Sequence, residues 1–213
     1  LLADPSRTVG GCTTTALAAM GYRRLVPHLG KLLGDPDNPV RIAAIQTLGK
    51  SADPRIIPLM VPLLNDVDPL ARQAAARALG RTRAARALAP LLPLLADPDA
   101  GVRSGAAWAV GQVHRKATVT GEPLVSLLAP LFTDPDDWVR MAAIEALWRS
   151  ADARIIPRLA PLLADPSSGV RWRAALALGR LKDPAAIPLL APLLADPGGE
   201  WVSARAARTG YGA

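Results

Sequence analysis

An aspartate that recurs at a fixed spacing is the feature of this sequence that most limits its fold. Consecutive copies lie 31 residues apart, except for one interval of 37, and proline follows six of the seven copies: Asp4, Asp35, Asp66, Asp97, Asp134, Asp165 and Asp196. Self-similarity at such a period is typical of repeat architectures, in which each unit buries its apolar face against its neighbours. Seven units account for the chain, so the sequence predicts one repeat domain over residues 1–213.

Each unit contains two stretches with helical character. The second begins after the Asp-Pro turn, as in Val40–Gly49, and a residue type favoured at helix N-caps stands two positions after the repeat aspartate. A glycine stands near the end of this stretch, where we expect a left-handed residue that ends the helix. These glycines are Gly49, Gly80, Gly111, Gly179 and Gly210.

The first stretch of each unit is rich in leucine and interrupted by proline. Asp53-Pro54 and Asp183-Pro184 resemble an N-cap followed by a first-turn proline. Prolines also lie inside the stretch, as at Pro58 and Pro62. Because an interior proline removes a backbone hydrogen bond, the sequence predicts a helix that bends at the same place in each unit.

The consensus Asp-Pro-x-x-x-Val-Arg-x-Ala-Ala-x-x-Ala-Leu-Gly resembles the HEAT-like repeats associated with phycobilisome lyase subunits. Asp97–Gly111 and Asp165–Gly179 match it best. The resemblance implies an all-α fold, an α-solenoid of about seven two-helix repeats wound into a right-handed superhelix. It implies no single function, since the class includes scaffolds, bilin lyases and relatives of DNA glycosylases.

An arginine follows the repeat aspartate by six residues in every unit except the two terminal ones. One interpretation is a row of anion-binding arginines. The other, which we favour because the two residue types recur together, is a structural ladder in which each arginine bonds the aspartate of its own or an adjacent unit. Its members are Asp35, Arg41, Asp66, Arg72, Asp97, Arg103, Asp134, Arg140, Asp165 and Arg171.

The net charge of +7 is unevenly distributed over the repeat. Most acidic residues lie at the Asp-Pro turns, so the opposite side is predicted to be a basic edge. This edge could bind nucleic acid or an acidic protein. The alternative is a solvated face with cations placed favourably at helix C-termini. The residues of this edge are Lys50, Arg55, Arg81, Arg86, Arg115, Lys116, Arg149, Arg154 and Arg180.

Two positions of the alanine-rich helix, seven and eleven residues after the aspartate, depart from the consensus and lie one turn apart. Such variable columns usually line the concave binding surface of a repeat protein. The predicted binding residues, including one neighbour of these columns, are Gln46, Arg77, Trp108, Met141, Glu145, Trp172 and Arg173. The alternative is that these tryptophans pack between helices. Trp138, Trp148 and Trp201 are expected to be packing residues.

The one irregularity of the repeat is a six-residue insertion within residues 112–123. It predicts a basic surface loop over His114–Pro123.

The sequence predicts no catalytic residue, metal site or cofactor. His28 and His114 are far apart in repeat position, and Cys12 is the one cysteine. Glu145 is the exception to consider, because an acid between aromatic residues is similar to the active site of HEAT-like alkylpurine DNA glycosylases. Their sequence signature is not matched here, and nothing specific to a bilin lyase site is present.

These observations favour a non-enzymatic scaffold that binds a protein or peptide, with a nucleic-acid-binding protein as the alternative. The uncharged stretches are about ten residues long and too short to cross a bilayer, so no membrane association is expected. The single cysteine agrees with a cytoplasmic location. The chain starts within a repeat and lacks a polar capping helix, which predicts a larger parent protein or end-to-end self-association.

Overall fold

The computed structural model describes residues 22–116, 124–147 and 155–195, and all regular structure in these ranges is helical. The chain divides into two compact units, unit 1 over residues 1–128 and unit 2 over residues 129–213. The assignment of residues 1–213 to one domain and the superhelical hand remain predictions.

Unit 1 alternates short and long helices along the described chain. The long helices pack side by side, the second against the first and the third against the second. In chain order the helices are α1 (Tyr22–Leu29), α2 (Asn38–Lys50), α3 (Ile57–Met60), α4 (Pro69–Thr82), α5 (Leu88–Leu91), α6 (Ala100–Lys116) and α7 (Leu124–Leu128). Turns of 3₁₀ helix lie at Lys31–Gly34, Pro54–Ile56, Pro62–Asn65, Ala85–Ala87 and Leu92–Ala96.

Unit 2 follows the same pattern, with its two long helices packed against each other. Its described helices are α8 (Asp137–Leu147), α9 (Ile156–Leu159), α10 (Ser168–Leu181) and α11 (Ile187–Leu190). Turns of 3₁₀ helix lie at Ala129–Thr133, Ala160–Ala164, Pro184–Ala186 and Ala191–Ala195.

In the repeats that contain residues 54–65, 85–96 and 184–195, the proline-rich segment is not a single bent helix, as the sequence predicts, but one α-helical turn between two 3₁₀ turns. Pro58 is the second residue of α3, and Pro62 opens the following 3₁₀ turn. Both therefore occupy first-turn positions, where the missing N–H would have had no helical partner. Asp53 caps the preceding turn as expected, because its carboxylate accepts a 2.9 Å hydrogen bond from the Arg55 N–H.

The predicted role of the recurrent glycines as helix C-caps is wrong for the copies that the structure describes. The long helices continue past these glycines, and left-handed residues follow at Ala52, Arg83 and Lys182. A Cβ on Gly80 would lie 2.6 Å from the Ala109 Cα, and one on Gly49 would lie 2.7 Å from the Ala78 Cβ. At these two positions neighbouring long helices touch, so a side chain larger than hydrogen has no room, while Gly210 lies outside the described residues.

The core of each unit lies between the long helices and the leucine-rich segments. In unit 1, Leu48 of α2 and Leu79 of α4 are fully buried, and in unit 2 Leu147 of α8 and Leu178 of α10 are their counterparts. Each such side chain contributes about 1.5–3 kcal/mol by leaving water. The core thus uses the consensus positions of the repeat and, apart from the buried Met141, leaves the described variable ones at least partly accessible.

Candidate functional site

The repeat aspartates and arginines contact each other between neighbouring repeats. Arg72 of α4 donates from Nε and Nη2 to the two carboxylate oxygens of Asp97, at 2.9 and 2.8 Å. Its Nη1 donates to the Asp66 carbonyl oxygen of its own repeat at 2.9 Å. One guanidinium therefore joins the turns of two successive repeats, and the carboxylate that it binds belongs to the next repeat.

The same arrangement recurs in both units. Arg41 binds the Asp66 carboxylate at 2.9 and 3.1 Å, and Arg140 binds the Asp165 carboxylate with two 2.8 Å bonds. Arg103 and Arg171 donate to the carbonyl oxygen of their own repeat aspartate, at 2.8 Å each.

The hydrogen bonds of this ladder shift the pKa values of its members. The carboxylate partner raises the pKa of Arg72, and likewise those of Arg41 and Arg140. Burial alone would raise the pKa of Asp66 and Asp97, but the hydrogen bonds from the arginines and from a backbone N–H outweigh it and lower both values. These arginines are charged and already engaged within the protein.

A second set of positions forms a continuous stripe on the long helices. These positions lie four, seven, eleven and fifteen residues after the repeat aspartate, so each is about one helical turn from the next. We call this stripe the variable face. On α4 it consists of Leu70, Gln73, Arg77 and Arg81.

In unit 1 the variable faces of α2 and α4 line a cleft of about 240 Å³. We call it the unit 1 cleft, and its lining residues are Ile42, Gln46, Lys50, Leu70, Gln73, Ala74, Arg77 and Arg81. The sequence predicts that Gln46 and Arg77 lie on the concave binding surface and that Lys50 and Arg81 belong to the basic edge. The structure places all four in one cleft.

The electrostatics of the unit 1 cleft differ from those of the ladder. Within the described part of the chain, neither Arg77 nor Arg81 has a carboxylate at salt-bridge distance. Desolvation lowers the pKa of Arg81, and the positive charge of Arg77 one turn away lowers it further. At Arg77 and Arg81 the cleft therefore holds positive charge that no acidic side chain of the described chain pairs with.

In unit 2 the variable faces of α8 and α10 line an apolar pocket of about 330 Å³. Its lining residues, which define the unit 2 pocket, are Asp137, Trp138, Met141, Ser167, Ser168, Gly169, Trp172 and Arg173. Met141 is buried, and a Cβ on Gly169 would lie 2.9 Å from the Met141 Sδ. Gly169 therefore leaves room for the thioether beside Trp172, which is half-buried.

An ion pair borders this pocket. Arg173 Nη1 donates to Glu145 Oε2 at 2.9 Å, and the Arg173 Nε is buried without a hydrogen-bond acceptor. The Glu145 side chain is 51% exposed. Glu145 is the acid that resembles, in the sequence, the active-site acid of HEAT-like alkylpurine DNA glycosylases. In the structure it is a partly solvated residue paired with an arginine.

Two tryptophans differ in their surroundings. Trp108 of α6 is half-buried, and its ring lies beside Gly80, where a Cβ would come within 3.1 Å of Cζ3. Trp138, expected to be a packing residue, is 68% exposed at the start of α8, so that expectation is wrong. Trp148 and Trp201 lie outside the described residues.

The described members of the predicted basic edge differ in their surroundings. Arg55 hydrogen-bonds both carboxylate oxygens of Asp53, and Arg86 donates from Nη2 to the Pro54 carbonyl oxygen at 2.7 Å. Lys50 and Arg81 belong to the unit 1 cleft, while Arg180 lies beside Trp172 in a second, open cleft of unit 2. The side chains of Arg115, Lys116, Arg149 and Arg154, and most of the insertion, lie outside the described set.

Sequence reasoning missed the first position of the variable face, four residues after the repeat aspartate. Leu70, at this position, is 60% exposed in the unit 1 cleft, and Trp138 is its equivalent in the unit 2 pocket. The signal was present, because this column contains residues as different as proline, leucine, glycine and tryptophan.

The described residues offer neither a metal site nor a membrane-spanning helix. No group of three or more histidine, cysteine, aspartate or glutamate side chains is placed to hold a metal ion. Among the same residues, no helix combines the length and apolar character needed to cross a membrane.

Comparison with solved structures shows the same fold in other repeat proteins. A designed armadillo repeat protein in complex with the peptide (KR)4 is 19% identical, with a TM-score of 0.53 over 84% of this chain and 95% of that one. A computationally designed armadillo repeat protein for modular peptide recognition is 21% identical, with a TM-score of 0.53 over 81% and 93%. The CpcE–CpcF complex of phycocyanin lyase from Nostoc sp. PCC7120 is 22% identical, with a TM-score of 0.52 over 88% and 77%.

Comparison with curated protein sequences finds no match. The family model for HEAT repeats, in contrast, matches residues 1–75, 57–129 and 122–209, which together cover nearly the entire chain. With the all-helical repeats of the described residues and their armadillo-like and HEAT-like structural neighbours, this match shows that the chain is an α-solenoid belonging to the HEAT-repeat family.

Proposed function

We propose that this protein is a non-enzymatic scaffold that binds a protein or peptide segment along the variable face of its long helices. One observation carries the proposal: the variable face supplies the lining of a cleft or pocket in each unit. Its exposed residues, such as Gln46 and Arg77 in unit 1 and Trp138 in unit 2, are engaged neither in the core nor in the ladder.

The chemistry of the two linings supports binding of a protein. Aromatic and arginine side chains in sheltered positions are typical anchors of protein interfaces. The unit 2 pocket combines Trp138 and Trp172 with Arg173, and the unit 1 cleft combines Leu70 with Arg77. The repeat scaffold holds these side chains on helices, so little ordering entropy is lost when a partner binds.

The structural neighbours support a peptide as the kind of partner. Two of them are designed armadillo repeat proteins, one made for modular peptide recognition and one in complex with (KR)4. The present chain is similar to them in fold alone. Its unit 1 cleft is lined by three cations, so its preference for peptide charge is expected to differ from that of the (KR)4 binder.

A selection of random linear peptides against the full chain tests the proposal. Peptides that bind should lose about tenfold or more in affinity for Trp172→Ala or Arg77→Ala, as measured by fluorescence anisotropy. The control is Arg158→Ala, which removes an exposed charge of α9 outside both linings. Failure to select any peptide, or binding that both variable-face variants leave unchanged, would overturn the proposal.

A further inference from the structure

We propose that the unit 1 cleft selects an acidic protein segment and holds its carboxylates between Arg77 and Arg81. The inference rests on the proposed function and names the class of partner for this cleft. It is carried by the two arginines of α4, which have no carboxylate at salt-bridge distance in the described chain and lie in a lining that also contains Lys50 and no acidic residue.

The cations are brought together by the repeat itself. Lys50 and Arg81 occupy the same position in successive repeats, fifteen residues after Asp35 and Asp66. Arg77 precedes Arg81 by one turn of α4, so the two guanidinium groups extend from the same side of that helix. Stacking of α2 on α4 adds the cation of one helix to the pair on the other.

The contrast between Arg72 and Arg81, both on α4, shows what the cleft lacks. Arg72 donates hydrogen bonds to both carboxylate oxygens of Asp97, and this contact raises the pKa of Arg72. For Arg81, desolvation and the nearby charge of Arg77 lower the pKa, and the Nη1 atom lies 3.6 Å from where a Cβ on Gly49 would be. A carboxylate in the cleft would give Arg77 and Arg81 the kind of partner that the ladder arginines already have.

The rest of the lining favours a polypeptide over a nucleic acid. Ile42 and the exposed Leu70 offer apolar contacts, and no aromatic side chain is present on which a base could stack. Gln73 donates from Nε2 to the Gly101 carbonyl at 2.7 Å, which leaves its Oε1 as an acceptor for a peptide N–H. Phosphate binding along a duplex would instead need a row of accessible cations, and Arg55 and Arg86 are engaged by Asp53 and Pro54.

Three fluorescein-labelled probes test this inference on the full chain. They are a peptide of alternating glutamate and glycine, the same peptide with glutamine replacing each glutamate, and mixed-sequence duplex DNA. We expect the glutamate peptide to bind at least about tenfold more tightly than either of the others at physiological salt. Its affinity should fall as salt is added, because the contacts are ionic.

A double variant identifies the cleft as the site. Arg77→Gln with Arg81→Gln should weaken binding of the glutamate peptide about tenfold or more. The control, Arg83→Gln with Arg86→Gln, removes the same charge from residues outside the lining and should change affinity less than about threefold. Equal losses for the two double variants would show a general charge effect and overturn the inference.

A stability readout separates loss of the site from loss of the fold. The free Arg77→Gln and Arg81→Gln double variant should melt at the same temperature as the parent or higher, since it removes repulsion between like charges one turn apart. A lower melting temperature would show that these arginines are structural and would overturn the inference.

The remaining outcomes are equally decisive. DNA bound as tightly as the glutamate peptide would make the cleft a phosphate site and overturn the inference. Selection of neutral or basic peptides that Trp172→Ala weakens would leave the scaffold function intact while refuting the acidic partner. If no peptide is selected at all, the proposed function itself fails.

Discussion

Arg72 donates hydrogen bonds across a repeat boundary to both carboxylate oxygens of Asp97. The third nitrogen of the same guanidinium donates to the Asp66 carbonyl oxygen of its own repeat. The side chains of this pair are 15% and 10% exposed. A single residue thus closes the turn of one repeat onto the next, which explains why arginine and aspartate recur together.

Removal of this contact should cost more than removal of an exposed pair with similar geometry. Arg72→Ala leaves Asp97, whose side chain is only 10% exposed, without its partner, so we expect a loss of about 2–4 kcal/mol in unfolding free energy. Arg55→Ala breaks the pair with Asp53, in which the arginine side chain is 51% exposed, and should cost less than about 1 kcal/mol. Urea unfolding of the two variants measures the difference, and equal midpoints would contradict a structural role of the ladder.

The lowered pKa of Asp66 predicts a dependence of stability on acid. Because the pKa of Asp66 is lower in the folded state than in the unfolded chain, its contribution is fully present above the unfolded value of about 4. It is lost as the pH falls through the folded value. Asp97 behaves in the same way.

Unfolding free energy should therefore stay nearly constant as the pH falls from neutral toward the unfolded pKa, and should fall steeply below about pH 4. Asp66→Asn, which cannot ionise, should be less stable at neutral pH and should show a shallower acid slope, as measured by urea titrations at a series of pH values. An unchanged slope would show that the pair with Arg41 does not survive in solution.

The glycines of the repeat should respond to substitution in opposite directions. Gly80→Ala places a Cβ 2.6 Å from the Ala109 backbone, so the two helices must move apart and we expect a loss of about 1–3 kcal/mol. Among the described residues no atom lies within 4 Å of a Cβ on Gly179, and Gly179→Ala should stabilise α10 by about 0.5–1 kcal/mol. Thermal melts distinguish this from a C-cap role, for which both substitutions would destabilise.

The exposed tryptophan of the unit 2 pocket should be dispensable for folding. Trp138→Ala removes a side chain that is 68% exposed and should change the unfolding free energy by less than about 0.5 kcal/mol. Leu178→Ala in the core of the same unit should cost about 2–5 kcal/mol. A large loss for Trp138→Ala would mean that the indole is covered in the folded protein and unsuited to bind a partner.

The repeat, the helical content and the residue types of the ladder could be predicted from the sequence, because they follow from local preferences and a fixed period. The sequence could not predict whether each arginine bonds the carboxylate of its own repeat or that of the next one. The sequence allows Arg72 to bond its own repeat or the next, and the structure places the Asp97 carboxylate at its guanidinium because successive turns stack.

The binding surface shows the same division. Exposure and proximity depend on which side chains a neighbouring repeat places opposite a helix, and no local pattern reports that. The tertiary structure alone joins Lys50, Arg77 and Arg81 in one cleft and leaves Trp138 exposed.

The sequence by itself determined the repeating unit, its two helical segments and the family, because hydrophobic period, Asp-Pro turns and consensus columns are properties of the chain. Only the tertiary structure decided that position 80 has no room for a side chain. It alone also places Arg77 and Arg81 together with no carboxylate partner in the described chain. The physical reason is that the distance from Gly80 to Ala109 and the desolvation of Arg81 arise only when helices pack against one another.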